Sequence, residues 1–364
     1  MSVQREELQR GLIAVLTERG VFLSWRLFLR ETTGSNRTGL TGTDFIVYRN
    51  DQRIALVTDS TNYLDPEGRK EDLYCVEAVP AGQEGETAEP AEQSHTAGPR
   101  RHLADGRSAI VSVWAKPYWD IPVKRPTGGV TPAGEAFEYH INDMSVGDVN
   151  GDGEYEYIVK WDPSNSHDVS HTGYTGRCII DCYTFTGEIL WRLDMGPNIR
   201  AGAHYTQFMV FDYDGDGRAE MAVKSAPGTK MTRFTPDGSI LSESFITLPE
   251  EDRVRGITHA DDYVCSATDY RRHLCDLFRG WREHKEVQAG HWPQTLEECF
   301  GIARKYDYPL SEEDAEALVE YFITVYAPSR SANNHLERFE GFIYEGPEYL
   351  TMFSGDGKEL ETIP

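Results

Sequence analysis

Apolar residues in this chain come in short runs, each closed by Gly, Asp, Asn or Pro. That punctuation predicts short strands joined by tight turns. Residues 12–16 and 21–25 flank Glu18-Arg19-Gly20, a hairpin signal. Runs at 45–48, 54–57 and 74–77 continue the series, so residues 1–80 are expected to form a small N-terminal β-sandwich domain of fibronectin-III-like layout. Residues 81–107 are poor in bulky apolar side chains and rich in Gly, Glu, Ala and Pro, as a flexible linker would be. From 108 to 364 the strand pattern returns, at 109–114, 158–161, 178–183, 208–211 and 221–224. It is interrupted at about 260–335 by a helical insertion. There Leu274, Leu277, Phe278 and Trp281 recur at helical spacing over 269–286. Ser311 with Asp314 predicts a capped helix start, running to about Tyr326, with Pro328 marking its end.

Within the second β region one sentence is written twice, 64 residues apart. The first copy is Asp148-Val-Asn150-Gly-Asp152-Gly153-Glu154-Tyr-Glu156; the second is Asp212-Tyr-Asp214-Gly-Asp216-Gly217-Arg218-Ala-Glu220. Each runs into a short β-type stretch ending at a matched lysine, Lys160 or Lys224. Oxygen-bearing side chains at positions 1, 3, 5 and 9, with Gly at 6, suit a calcium ion. Calcium takes six to eight hard oxygen ligands on a sharply turning loop. The candidate side-chain ligands are Asp148, Asn150, Asp152 and Glu156, then Asp212, Asp214, Asp216 and Glu220. Glu154 and Arg218 would offer backbone carbonyls. An EF-hand differs, with its closing acid at position 12 and a helix following. The plainer alternative is a solvated acidic turn. A second signature, an aromatic, a Gly turn and Leu three residues after the Gly, recurs at 183–190, 234–241 and 353–360. Loop, strand and hairpin in repetition are the grammar of propeller blades. The length supplies about four of them.

The formal charge is −24 over 364 residues; two bound Ca²⁺ would leave about −20. Such a field disfavours nucleic acid and anionic membranes as partners, and an anionic substrate would need a local cation. No run of about 18 apolar residues offers a membrane span. The first residues carry no secretory leader, which points to the cytoplasm, or to secretion if the N-terminus was trimmed. Six cysteines without zinc spacing read as free thiols. His259, Asp261, Asp262, His273, His284 and His291 cluster in the helical segment, again without metal-site spacing, and read as surface or packing residues.

Several long stretches resemble polysaccharide lyase family 11, the rhamnogalacturonan lyases. They are Asn142-Asp143-Met-Ser-Val-Gly-Asp148, Lys160-Trp-Asp162-Pro-Ser-Asn165, Gly173-Tyr-Thr-Gly176 and Asn198-Ile-Arg200-Ala-Gly-Ala-His204-Tyr-Thr-Gln207. Val287-Gln-Ala-Gly-His291-Trp, Tyr326-Ala-Pro-Ser-Arg330 and Glu345-Gly-Pro-Glu-Tyr349 agree. The resemblance implies an all-β fold: a calcium-bearing eight-bladed β-propeller, incomplete in these 364 residues, behind a small β domain. It implies β-elimination at rhamnose–galacturonate bonds of the pectin backbone rhamnogalacturonan I, with Ca²⁺ as cofactor. It also implies that Asn142 and Asp162 line the cleft and contact sugar. A chain of this length would be a truncated or split product, inactive alone, or would be completed by a second fragment. The catalytic group stays open among Lys160, Lys224, Arg200 and His204, each of which could equally be a structural residue. The alternative function is a non-catalytic calcium propeller that binds carbohydrate or protein.

Overall fold

The computed structural model describes residues 8–36, 39–80, 107–168, 171–202, 206–334 and 336–364. The expected linker, apart from Arg107, lies outside them, as does His204.

Eight strands build the N-terminal unit: β1 (Ile13–Thr17), β2 (Gly20–Ser24), β3 (Thr32–Asn36), β4 (Gly39–Arg49), β5 (Gln52–Val57), β6 (Asn62–Asp65), β7 (Leu73–Pro80) and β8 (Val111–Trp114). β1, β2 and β6 pair antiparallel in that order, and β7 and β5 both pair with β4. β8 closes the edge, antiparallel to β7 and parallel to β1 through Ala14–Val113 and Val15–Trp114. Between the layers lie Ala14, Val21, Leu23, Trp25, Phe45, Val47, Tyr74, Val76 and Val113, all buried. Gly20 holds the β1–β2 hairpin at φ +122°, and a Cβ there would sit 2.1 Å from the Asp65 carbonyl. Only glycine meets both demands.

After a small hairpin of β9 (Gly129–Val130) and β10 (Ala136–Phe137), the second unit begins with an antiparallel meander. Its strands are β11 (Tyr139–Gly147), β12 (Glu156–Pro163), β13 (Ile179–Tyr183) and β14 (Ile189–Asp194). The remaining strands are β15 (Phe208–Phe211), β16 (Glu220–Ser225), β17 (Lys230–Phe234), β18 (Ile240–Phe245), β19 (Tyr349–Phe353) and β20 (Glu359–Ile363). β15, β16, β19 and β20 form a second meander in that order. The hairpin β17–β18 does not follow its own loop strand as the repeat grammar expects. It docks on the first meander, pairing β17 with β14 from Trp191–Arg233 to Asp194–Lys230. Two four-stranded meanders, rather than four, therefore stand among the described residues. The length between β18 and β19 goes into helices instead.

Alternation along β12 decides what each face of the first meander meets. Ile158 joins Ile180, Cys182, Trp191 and Leu193 in a core completed from the second meander by Met221, Val223, Tyr349 and Phe353. Val159 and Trp161 face the other way, onto Tyr139, Tyr183 and Ile189. Lys160 and Asp162 share parity with Ile158, so they lie on the face between the two sheets.

The helical insertion holds α1 (Glu250–Val254), α2 (Ala267–Arg279), α3 (Lys285–Gln288), α4 (Leu296–Phe300), α5 (Glu312–Tyr321) and α6 (Ala327–Arg330). α2 stops at Gly280 instead of running to 286; a 3₁₀ turn and α3 follow. Ser311 caps α5 by accepting from the Asp314 amide. Pro328 does not end this helix. A wide π turn over Phe322–Tyr326 precedes it, so the ring falls at the start of a new helical segment that continues to Arg330. No helix among the described residues is long and apolar enough to cross a membrane. All six cysteines are free.

Candidate functional site

The repeated loops connect β11 to β12 and β15 to β16, so each copy joins the first two strands of a meander. They also touch: the Ala219 amide donates to the Asp148 carbonyl at 2.8 Å. In the first loop Asp148 accepts from the amides of Gly151, Asp152 and Gly153, at 2.7–3.1 Å. Asn150 accepts from the Asp152 amide, and Asp152 from the Glu154 amide. Glu156 closes the loop by accepting from the Val149 amide and from Asn150 Nδ2. The second loop repeats this. Asp212 accepts from Gly215 and Gly217, Asp214 from Asp216, Asp216 from Arg218, and Glu220 from Tyr213. Gly153 and Gly217 adopt φ of +85° and +95°, left-handed values that a side chain would strain.

These residues fit a divalent cation. Carboxylate oxygens of Asp212, Asp214 and Asp216 lie within 4.8 Å of one another. A carboxylate has about four acceptor sites, so the loop amides leave capacity for an ion. Burial above all, with Asp152, Asp148 and Glu154 adding to it against the Val149 amide, pushes the Glu156 carboxyl up to about 8. Burial likewise raises Asp148 and Glu220, each with acidic neighbours adding to it. Buried acids crowded this way call for positive charge. Loop one is braced from the N-terminal segment, where Gln9 donates to the carbonyls of Gly153 and Asp152.

A second constellation forms where β11 meets β12. Lys160 is 1% exposed. Its Nζ donates to Asn142 Oδ1 at 3.1 Å and to the Gly202 carbonyl at 3.3 Å. It lies 3.6 Å from Asp162 Oδ1, an ion-pair separation beyond hydrogen-bond reach. Asp162 is 3% exposed, and neither of its oxygens has a hydrogen-bond partner among the described residues. Burial raises its carboxyl, and Lys160 partly counters the rise. Asn142 reaches this group because the β11–β12 register slips between Ile141 and Asp143, leaving it as the extra residue of a bulge. Bulges re-aim side chains in this way.

The structure thus gathers Asn142, Lys160 and Asp162 and leaves the other candidates apart. Lys224, the repeat mate of Lys160, is half-exposed and pairs with Glu348 at 2.5 Å. Arg200 is buried, donates to the carbonyls of Asp168, His171 and Gly173, and lies over the Phe342 ring. The helical-segment histidines do not converge. His259 accepts from the Gly228 amide and stacks on Phe245, His284 stacks on Trp292, and His291 meets Glu286. Sequence reasoning missed the Gly202 carbonyl and the bulge at Asn142. Neither leaves a local signal, because both depend on how distant strands are paired.

Residues 3–93 match the family model described as Rhamnogalacturonan I lyases beta-sheet domain. Residues 118–242 match Rhamnogalacturonan lyase family 11, C-terminal domain. Rhamnogalacturonan endolyase YesW of Bacillus subtilis (strain 168) is 49% identical over 228 residues, 62% of this chain and 32% of that protein. Rhamnogalacturonan exolyase YesX of the same organism is 48% identical over 231 residues, 62% of this chain and 33% of that protein. The solved structure of Bacillus licheniformis rhamnogalacturonan lyase PL11 superposes with a TM-score of 0.58 at 34% identity, covering 99% of this chain and 42% of that one. This chain accordingly spans about a third of the length of the curated relatives it matches.

Proposed function

Because this chain belongs to rhamnogalacturonan lyase family 11, we propose that it acts in the cleavage of rhamnogalacturonan I by β-elimination. A base takes the C5 proton of a galacturonate unit, and the C5–H electron pair becomes the C4–C5 double bond. The C4–O bond breaks with its electrons on the rhamnose-side oxygen, which is then protonated. The observation that carries the reading is the convergence of Asn142, Lys160 and Asp162 in a chain matched to this family over both units. In an acidic molecule this group is a local cation flanked by an amide and a carboxylate. The outward Asn142 amide nitrogen can donate to a sugar or carboxylate oxygen; the Asp162 oxygens are buried beside Lys160 and back the lysine.

The two meanders are read as neighbouring blades of a calcium-bearing β-propeller. Equivalent loops at their β11–β12 and β15–β16 corners, and the face-to-face core between them, support this. The N-terminal unit, two antiparallel layers joined at one edge by a parallel contact, supports a fibronectin-III-like sandwich. Calcium, when bound, supplies the positive charge that the crowded loop acids lack. The test is ultraviolet absorbance of the new double bond, released from rhamnogalacturonan I by folded, calcium-loaded protein. No gain in absorbance refutes lyase activity for this chain. Calorimetric binding without that gain favours a non-catalytic calcium propeller that holds carbohydrate, a reading the lyase names of the relatives do not favour.

A further inference from the structure

We infer that Lys160 is a positioning residue: anchored by the buried Asp162 carboxylate behind it, it sets the direction of the exposed Asn142 amide and so orients that amide for sugar. The inference rests on the sugar-binding role proposed above. An ammonium group donates only, so the group facing Lys160 Nζ must be the Asn142 oxygen, at 3.1 Å. Flipping the amide would set NH₂ against NH₃⁺ and lose a charge-assisted hydrogen bond. Asn142 Nδ2 is therefore the end turned outward, and it has no partner among the described residues. The Gly202 carbonyl pins the same Nζ from the loop after β14, at 3.3 Å. A side chain held at two such points and 1% exposed cannot swing its head group away.

The internal repeat supplies a comparison. Sixty-four residues on, the counterpart of Asn142 is Thr206 and that of Asp162 is Ala226. In that copy neither partner exists, and Lys224 turns to the surface to meet Glu348. Lys224 also lies on the face opposite Met221 and Val223, away from the core between the meanders, so both its face and its missing partners set it apart from Lys160.

The experiment uses the full chain and rhamnogalacturonan oligosaccharides in calorimetry. Lys160→Met should weaken binding about tenfold, the worth of one charge-assisted hydrogen bond. In an Asn142→Ala, Asp162→Asn background the same change should cost less than about twofold, because its targets are already gone. Lys230→Met, which removes a partly exposed lysine paired with Glu243, should leave binding unaltered. Additive losses would overturn the inference, since packing damage alone adds. A second readout needs no sugar: the Asn142 side-chain amide resonance in ¹⁵N-labelled protein should shift and broaden in Lys160→Met, and an unmoved resonance would overturn it. Should Lys160→Met fail to fold, Lys160→Met with Asp162→Asn removes both charges together and serves for the resonance measurement. Intact binding in the Asn142→Ala, Asp162→Asn protein would defeat the sugar-site proposal, while the resonance still decides the role of Lys160.

Discussion

Removing divalent ions with a chelator should destabilise the second unit and leave the N-terminal unit nearly untouched. Loop two offers four carboxylates (Asp212, Asp214, Asp216 and Glu220), three of them with oxygens within 4.8 Å of one another. Loop one offers three, with Asn150 in place of the fourth, and Glu156 already resists ionisation there. EF-hand sensor loops, which also gather their oxygens on one short turn, hold calcium with dissociation constants of about 10⁻⁷ to 10⁻⁵ M, and that range serves for comparison. At about 1 mM calcium the weaker end of that range stabilises by about 3 kcal/mol per site. Two sites together give roughly 6 kcal/mol, and each kcal/mol moves the melting point of a domain this size by about 2–4 °C. Scanning calorimetry should therefore show two transitions, only one of which rises by more than about 10 °C on adding calcium. Asp216→Asn should remove about half of that shift. Asp237→Asn, in the β17–β18 turn and outside both loops, should remove none. Identical traces in chelator and in calcium would refute the metal assignment and the charge argument behind it.

Stability of the ion-free protein should fall as pH rises. Burial and three acidic neighbours place the folded-state value of Glu156 at about 8, above its ordinary 4.5. The folded form then binds more protons than the unfolded form between those values, so urea midpoints in chelator should drop from pH 5 to pH 8. Calcium should flatten that slope; a midpoint that rises with pH in chelator would contradict the reasoning. Gly20→Ala should cost the N-terminal unit more than about 1 kcal/mol, because the new methyl meets the Asp65 carbonyl in a left-handed backbone. Denaturant unfolding followed by Trp25 fluorescence would measure it, and an unchanged midpoint would show that the hairpin relaxes.

What could be seen in the chain, and what could not, divides along the length of the interactions involved. The loops were legible because every oxygen and every glycine of each lies within nine consecutive residues, so spacing alone specifies the chemistry. The β1–β2 hairpin was legible for the same reason. The fate of the two lysines was not. Lys160 and Lys224 close identical motifs, and sequence equivalence argued for equivalent roles. Their strands pair differently: β12 (ending at Pro163) is followed in its sheet by β13 (starting at Ile179), the next strand in the chain, whereas β16 must wait for β19 beyond the whole helical insertion. The hairpin that the repeat would have set beside β16 goes to the edge of β14 instead. Glu348, one residue before β19, is brought to Lys224 by that long-range pairing. Lys160 meets Asn142 because a one-residue slip in the β11–β12 ladder frees the asparagine from alternation. A repeat in sequence therefore carries over the local loop geometry but not the site built next to it. The two copies share nine-residue chemistry and differ in their distant neighbours, and the candidate sugar site formed only where those neighbours were Asn142 and Asp162.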